Sequence, residues 1–421
     1  MDLKREFSID NKVYDLFLEC EKSLVEEYRN IDEISFINQG KVLKAMQKNK
    51  LSDVHFQGTT GYGYDDLGRD ALENIYRDTF HSESALVRPQ IISGTHALTT
   101  ALFSNLKYGE ELISVSGTPY DTLVGVIGIR KTRGSLIENG VLYNEVDLLK
   151  NKKFDLVSIE KAINNKTKMI TIQRSKGYKW RKSFTIEEIK DVIAFIRSVK
   201  KDVIIMVDNC YGEFVDIIEP SDVGADLVVG SLIKNPGGGI APVGGYIVGK
   251  EELVENCACR LTAPGLGKEV GPTLGLSTSF LQGFFLAPSV VASSLKTAVL
   301  CAKIFEELDF QVNPTSKEKR GDIVQAINMK NKENLIKFCQ GVQMGAPVDS
   351  YVLPEPWAMP GYDCDVIMAA GAFVQGSSIE LSADAPIKEP YTAYFQGGLT
   401  YGHGRLGVVL ALNNSLKNFI K

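Results

Sequence analysis

The chain has 421 residues, of which 44% are hydrophobic and 24% charged, and its formal net charge is −5. This composition is typical of soluble globular proteins, and the length suffices for two or three structural units. The sequence shows no long basic run, no apolar stretch of membrane-spanning length and no signal-peptide core at its N-terminus. We therefore expect a cytoplasmic protein that binds neither nucleic acid nor membrane.

The seven cysteines are scattered without the spacing of a disulfide framework, which fits a reducing compartment. Cys257 and Cys259 flank one alanine and have no second pair nearby. The four histidines also lack the spacing of zinc ligands. We expect no metal site.

In chain order, residues 1–50 carry apolar side chains at helical spacing and predict an N-terminal helical arm that packs on another part of the chain or on another subunit. The stretch TTGYGYDDLG (59–68) predicts a loop that precedes a helix. From about residue 85 to 250, strand-like runs alternate with helical patterns, one of which opens with a Thr185–Glu188 capping box.

The strand-like runs are apolar without alternation, which indicates strands buried on both faces of a mostly parallel sheet. Strand–helix alternation is typical of an α/β domain. After a long helical pattern that begins near residue 286, the pattern becomes mixed. We therefore predict a large α/β domain over 51–285, with a mostly parallel sheet of the seven-stranded type, and a smaller C-terminal α+β domain over 286–421.

Residues that follow predicted strands are the first candidates for chemistry, because ligands of open α/β sheets bind beyond the carboxyl ends of the strands. Ser93, Gly94, Thr95 and His96 follow one strand and open a helix. Small residues and a hydroxyl at a helix N-terminus can bind a phosphate. The alternative is a plain helix N-cap.

Two more strand ends carry Asp208, in VDNCYGEF, and Lys234, in SLIKNPGGG. Burial would lower the pKa of the lysine and make its amine a usable nucleophile. The alternatives are an ion-paired aspartate and a surface lysine. Together, a phosphate cup, a carboxylate and a lysine match the needs of pyridoxal 5′-phosphate, whose aldehyde binds a lysine and whose ring nitrogen needs a carboxylate.

The same motifs carry a resemblance to a known family. VDNCYGEF, SLIKNPGGG, SGTHA, GTPYDTL, IQRSKGY and QGGLTYGHGRLG resemble the fold-type I pyridoxal-phosphate enzymes of Cys/Met metabolism, which include the cystathionine lyases and methionine γ-lyases. The closer resemblance is to a methionine γ-lyase-like family of aluminium-resistance proteins. It extends over about residues 50–410.

This resemblance implies a role for each matching residue. Lys234 would be the Schiff-base lysine, which later moves protons at the substrate α-carbon, and Asp208 would hold the pyridinium nitrogen. Backbone donors at Gly94 and Thr95, together with Ser231, would bind the phosphate. Further cofactor-binding candidates are Ser93, His96, Tyr120, Arg174 and Tyr211.

The stretch GYGYDDLGR resembles a segment that reaches the active site of the neighbouring subunit. We choose Tyr64 over Tyr62 as its phosphate-binding tyrosine. Arg69 is either its basic partner or an exposed charge in the first turn of a helix. The resemblance therefore implies a homodimer or homotetramer whose sites are shared between subunits.

The sequence also departs from the family pattern. Ser116 stands where a tyrosine stacks on the cofactor ring, so that role falls to Tyr120 or to His96. Ile233 replaces a threonine that would bind phosphate. Glu380 stands where an arginine would bind the substrate carboxylate, and a glutamate cannot do so.

Two arginines could take over the substrate carboxylate. Arg174 follows a predicted strand, and Arg405 lies in YGHGRLG. An arginine offers a bidentate fork suited to a carboxylate. A structural ion pair is the alternative for Arg174.

The resulting functional hypothesis is a carbon–sulfur lyase acting on a sulfur-containing amino acid of the cystathionine or methionine type. Lys234 and Tyr120 are its expected catalytic residues. The alternatives are another pyridoxal-phosphate enzyme, such as an aminotransferase, and a non-catalytic stress or metal-resistance protein that retains the fold.

Overall fold

A computed structural model describes residues 2–359 and 364–416 of the chain. Its N-terminal arm is helical, as the sequence predicts. Val13 and Phe17 of the arm are buried in the core of the C-terminal part, so the arm packs within its own chain. The helices of the arm are α1 (Leu3–Glu6), α2 (Asn11–Lys22) and α3 (Val25–Lys48).

The large unit is built on a seven-stranded sheet in the order β1-β7-β6-β5-β4-β2-β3. β7 runs antiparallel to both its neighbours, and the other six strands run in one direction. The strands are β1 (Ser84–Arg88), β2 (Glu111–Ser114), β3 (Leu142–Glu145), β4 (Thr167–Gln173), β5 (Ile204–Asp208), β6 (Leu227–Ser231) and β7 (Gly245–Gly249). This sheet confirms the prediction of a mostly parallel, seven-stranded α/β domain.

Helices cover both faces of the large sheet, which explains why its central strands are apolar without alternation. Every residue of β6 is buried. The helices of this unit are α4 (Leu67–Thr79), α5 (Gly94–Asn105), α6 (Asp121–Ile127), α7 (Leu156–Ala162), α8 (Ile186–Val199) and α9 (Glu251–Leu261). The capping box predicted at Thr185 and Glu188 is present at the start of α8.

The C-terminal unit contains an antiparallel five-stranded sheet in the order β10-β11-β12-β9-β8. Its own core includes residues of the sheet, of two C-terminal helices and of the N-terminal arm. The elements are α10 (Ser277–Glu307), β8 (Val312–Asn313), β9 (Gln325–Asn328), α11 (Lys332–Met344), β10 (Val366–Ala369), β11 (Ser382–Pro386), β12 (Thr392–Gln396) and α12 (Tyr401–Leu416).

The helix α10 joins the two units, because its side chains enter both cores. The predicted boundary at residue 285 therefore falls inside one continuous helix. Among the described helices, α10 is long and apolar enough to cross a membrane, but 72% of its most apolar stretch is buried within the fold. Its apolar character is accounted for by packing between the two units.

Candidate active site

Six of the predicted residues lie around one pocket at the carboxyl edge of the large sheet. Parallel strands end at the same edge, so residues far apart in sequence meet there. The open space of this pocket, counted out to bulk solvent, is about 500 Å³. The six predicted residues that line it are Gly94, Thr95, Tyr120, Asp208, Tyr211 and Lys234.

The start of α5 forms one wall of the pocket. Ser93 caps this helix, since its Oγ accepts the His96 backbone N–H at 3.1 Å. A Cβ on Gly94 would lie 3.1 Å from Ser231 Cβ and 3.4 Å from Cys210 Sγ. This close approach favours glycine and brings the N-terminal end of α5 beside Ser231, as the predicted phosphate cup needs.

His96 and Thr95 have local partners at this helix start. The His96 Nδ1 lies 3.3 Å from the Ile92 backbone nitrogen, which donates to it. The Thr95 and Thr122 hydroxyl oxygens are 2.9 Å apart. The His96 ring is therefore held against its own loop, which favours Tyr120 over His96 as the residue beside a bound ring.

Asp208 ends β5 and presents its carboxylate to the pocket. Its Oδ1 accepts the Cys210 backbone N–H at 3.1 Å. Burial raises the pKa of the Asp208 carboxyl above its ordinary value, and the nearby Lys234 ammonium opposes that effect. Asp208 is thus a buried carboxylate that a cationic partner would stabilise.

Lys234 follows β6 and begins a short 3₁₀ turn over residues 235–237. Its Nζ lies 4.1 Å from the centroid of the Tyr211 ring. Burial acts to lower the pKa of the Lys234 ammonium, but the acidic groups around it, Cys210 and Tyr211 first and then Asp208 and Glu213, together raise it above its ordinary value. The expected lowering of the pKa is therefore not met in this arrangement, because the acidic groups together outweigh burial, which is the largest single influence.

The glycines after Lys234 allow α10 to pack against this turn. Gly238 has φ +55°, and a Cβ there would lie 2.4 Å from the Gly283 carbonyl oxygen of α10. A larger residue would push the helix and the lysine turn apart. The glycine run therefore sets the position of the Lys234 backbone.

Tyr120 lies at the N-cap of α6 and faces the segment that follows β4. Its Cδ2 is 3.2 Å from the place that a Cβ on Gly177 would occupy. Ser116 is buried, and its Oγ accepts the Gln173 backbone N–H at 3.0 Å. Tyr120 is thus the aromatic residue on this side of the pocket, while its catalytic role stays a prediction.

Arg174 lies away from the pocket, in a buried network. Its Nη1 donates to Asn209 Oδ1 at 2.7 Å and to the Gly212 carbonyl at 2.9 Å, and it is 3.6 Å from Glu219 Oε2. The structure therefore shows the structural ion pair that the sequence left as the alternative. The geometry does not support the predicted roles of Arg174 in cofactor and substrate binding.

Arg405 is also distant from these residues. It lies on α12, and its Nη1 donates to Glu21 Oε1 of the N-terminal arm at 3.1 Å. The guanidinium ties α12 to α2, so the geometry of this chain gives no support to its predicted role in binding a substrate carboxylate.

The Gly/Tyr-rich loop leaves its two tyrosines in solvent. The exposed fractions of Tyr62 and Tyr64 are 71% and 57%. Arg69 is buried, and its Nη1 donates to the Gly63 carbonyl at 2.6 Å. Arg69 is therefore neither exposed nor directed at a distant ligand; it holds the loop that presents Tyr64.

Sequence reasoning missed several residues of the site. Gln173, Ser175 and Gly177 line the pocket, and their position just after β4 was the available signal. Glu213 was also missed: burial raises its pKa to about 8, and Tyr246 donates to its Oε1 at 2.8 Å. No sequence pattern marks such a buried acid.

Comparison with known proteins shows the family of the chain. Residues 13–416 match the family model described as methionine gamma-lyase. The chain belongs to the methionine γ-lyase family. The seven-stranded sheet and the structures of related proteins agree with the fold-type I architecture that the motifs implied.

Three relatives illustrate the similarity. The uncharacterised protein YnbB of Bacillus subtilis (strain 168) is 51% identical over 402 residues, which are 95% of this chain and 96% of YnbB. A proposed cystathionine β-lyase involved in aluminium resistance from Clostridium acetobutylicum has a TM-score of 0.95 and 49% identity, over 98% of this chain and 97% of its own. A carbon–sulfur lyase involved in aluminium resistance from Clostridium novyi NT has a TM-score of 0.94 and 49% identity, over 97% of each chain.

The donor set of the pocket fits pyridoxal 5′-phosphate. A cradle that a Cβ at Gly94 would fill offers backbone N–H groups, and Asp208 offers a carboxylate in the lining of the same pocket. Lys234 offers an amine in that lining. These are the three groups that the phosphate, the ring nitrogen and the aldehyde of this cofactor need.

Proposed function

We propose that this chain is a pyridoxal-phosphate-dependent carbon–sulfur lyase acting on a sulfur-containing amino acid. The observation that carries the proposal is the meeting of Gly94, Asp208 and Lys234 at one pocket, in a member of the methionine γ-lyase family. Lys234 would hold the cofactor aldehyde, Asp208 its ring nitrogen, and the start of α5 with Ser231 its phosphate. When bound, the cofactor would supply an electron sink next to the substrate α-carbon.

The side chains of the pocket would perform the remaining steps. The Lys234 amine, once exchanged for the substrate amine, would take the proton from the α-carbon. For a sulfur on the β-carbon, loss of this proton would allow the carbon–sulfur bond to break, and the protonated Lys234 would return the proton to the departing thiolate. For a sulfur on the γ-carbon, a proton would also have to leave the β-carbon before the bond could break. Hydrolysis of the unsaturated amine product then gives a 2-oxo acid and ammonia. Tyr120, on the α6 side of the pocket, would keep the reacting group in place.

The test is a screen of sulfur-containing amino acids with purified protein supplied with pyridoxal phosphate. We expect equal amounts of thiol, 2-oxo acid and ammonia from cystathionine or methionine. Lys234→Ala should bind no cofactor covalently and release no thiol. Exchange of amino groups with added 2-oxo acids, without thiol release, would instead identify an aminotransferase. No reaction with any amino acid would favour the non-catalytic alternative.

We also propose that the active protein is a homo-oligomer in a reducing, cytoplasmic setting. The exposed Tyr62 and Tyr64, on a loop held by the buried Arg69, support contact with a second subunit. The seven free cysteines support a reducing compartment. Sedimentation of an active, strictly monomeric enzyme would contradict the first part.

A further inference from the structure

Tyr211 has an unusual backbone for an aromatic residue. It follows β5 by three positions and has φ +71°, in the left-handed region that bulky residues rarely adopt. Such strain persists where the surrounding structure imposes it, and it is most frequent at functional sites. Here the conformation places the Tyr211 ring under Lys234, whose Nζ lies 4.1 Å from the ring centroid.

The other end of the Tyr211 side chain reaches the C-terminal unit. Its hydroxyl oxygen lies 2.8 Å from the Ser378 Oγ, in the segment between β10 and β11. The same segment stands against the lysine turn, because a Cβ on Gly376 would lie 3.5 Å from Ile233 Cδ1. Tyr211 is therefore in contact with Lys234 at its ring and with the C-terminal unit at its hydroxyl.

Glu380 fixes the segment that carries Ser378. Its carboxylate is buried and accepts the backbone N–H groups of Phe373 at 2.8 Å and of Val374 at 2.9 Å. Charge-assisted bonds of this kind are stronger than neutral ones. Both carboxylate oxygens of Glu380 thus accept hydrogen bonds that hold this loop in its conformation.

We propose that Glu380, Ser378 and Tyr211 form a positioning device through which the C-terminal unit sets the orientation of the Lys234 amine. Glu380 holds the loop, the loop holds the Ser378 hydroxyl, and Ser378 holds the ring of Tyr211 beneath the lysine. The functional importance of Lys234 rests on the proposed function. The contacts among these residues do not depend on it. None of the three residues needs to touch the substrate.

The test measures Lys234 directly in cofactor-free protein. Limiting acetic anhydride at a fixed pH near 8 acetylates each lysine in proportion to the fraction of its amine that is neutral and accessible. Peptide mass spectrometry then gives the acetylation rate of Lys234. Tyr211→Phe and Ser378→Ala each remove the same hydroxyl contact and free the ring. Loss of cation–π stabilisation should then raise the Lys234 rate, by roughly two- to tenfold.

The double variant should show no further increase, since both changes break one contact. Ser378→Thr retains a hydroxyl and should restore the wild-type rate. Glu380→Gln should also raise the rate, because an amide cannot accept both backbone N–H groups. Tyr401→Phe is the matched control: its hydroxyl donates to Glu21 of the N-terminal arm, so its loss should leave Lys234 labelling unchanged.

An unchanged Lys234 rate in Tyr211→Phe would overturn the proposal, whatever happens to thermal stability. An effect of Tyr211→Phe that Ser378→Ala does not reproduce would refute the coupling to the C-terminal unit. Failure of the wild-type protein to bind pyridoxal phosphate would remove the proposed function. It would leave the labelling result intact, so the two failures are distinguishable.

Discussion

Lys176 allows a direct test of how a lysine buried between the two units changes the stability of the chain with pH. Its side chain is fully buried, and its Nζ donates to the carbonyl oxygens of Asn313 at 2.8 Å and of Val324 at 3.1 Å. Burial lowers the pKa of the Lys176 ammonium to about 7, although Asp322 acts to raise it. Replacing Lys176 with methionine removes the titrating group while keeping most of its volume.

The sign and size of the effect follow from linkage. The pKa of Lys176 is about 7 in the folded chain against 10.5 for an ordinary lysine, so between those values the unfolded chain binds more protons. Stability must therefore rise with pH across this window, by about 1.4 kcal/mol per pH unit. Between pH 7 and 9 the wild-type chain should gain roughly 2 kcal/mol from this lysine, and Lys176→Met should gain none of it.

The assay is urea unfolding of both proteins from pH 6 to 9. Loss of two hydrogen bonds lowers the unfolding free energy of Lys176→Met by about 1–3 kcal/mol at every pH. The test therefore compares how steeply the unfolding free energy of each protein rises with pH, not its absolute value. The exposed Lys201→Met serves as the control and should keep the wild-type slope. Parallel pH profiles for wild type and Lys176→Met would refute the reasoning, because the buried amine would then titrate like an exposed one.

Three further predictions concern the pocket and its surroundings. Asp208→Asn should weaken pyridoxal-phosphate binding, since it would remove the proposed partner of the ring nitrogen; equal binding by equilibrium dialysis would contradict this. Gly94→Ala should also weaken cofactor binding, because its Cβ would stand 3.1 Å from Ser231 Cβ; dialysis with free phosphate as competitor checks it. Arg174→Gln should destabilise the chain by about 3–5 kcal/mol by removing the cationic partner of the buried Glu219, with an unchanged KM; a raised KM at wild-type stability would restore its predicted substrate role.

The sequence was most informative where the end of a predicted strand determines the position of the side chain that follows it. Asp208 and Lys234 follow buried strands, and a parallel sheet necessarily brings such residues to one edge. Gly94 was found for the same reason, with the added requirement of a helix start. These positions depend on local pattern and sheet direction alone.

The arginines were predicted less well, because a guanidinium has many possible partners. Arg174 also follows a strand, yet its side chain joins Glu219 away from the pocket. Arg405 pairs with Glu21, which is 384 positions earlier in the chain. No local pattern reports such tertiary pairings, nor does any mark the left-handed backbone of Tyr211.

The C-terminal unit contacts residues in or next to the pocket at three points, two of which are energetically unfavourable on their own. Tyr211 adopts a strained backbone to meet Ser378, and Lys176 is buried to meet Asn313 and Val324. Ser175, which lines the pocket, donates to Asp322 of the same unit at 2.8 Å. A unit needed only for stability would gain more from apolar contacts at these places. Their persistence favours a C-terminal unit whose contacts fix the geometry around Lys234.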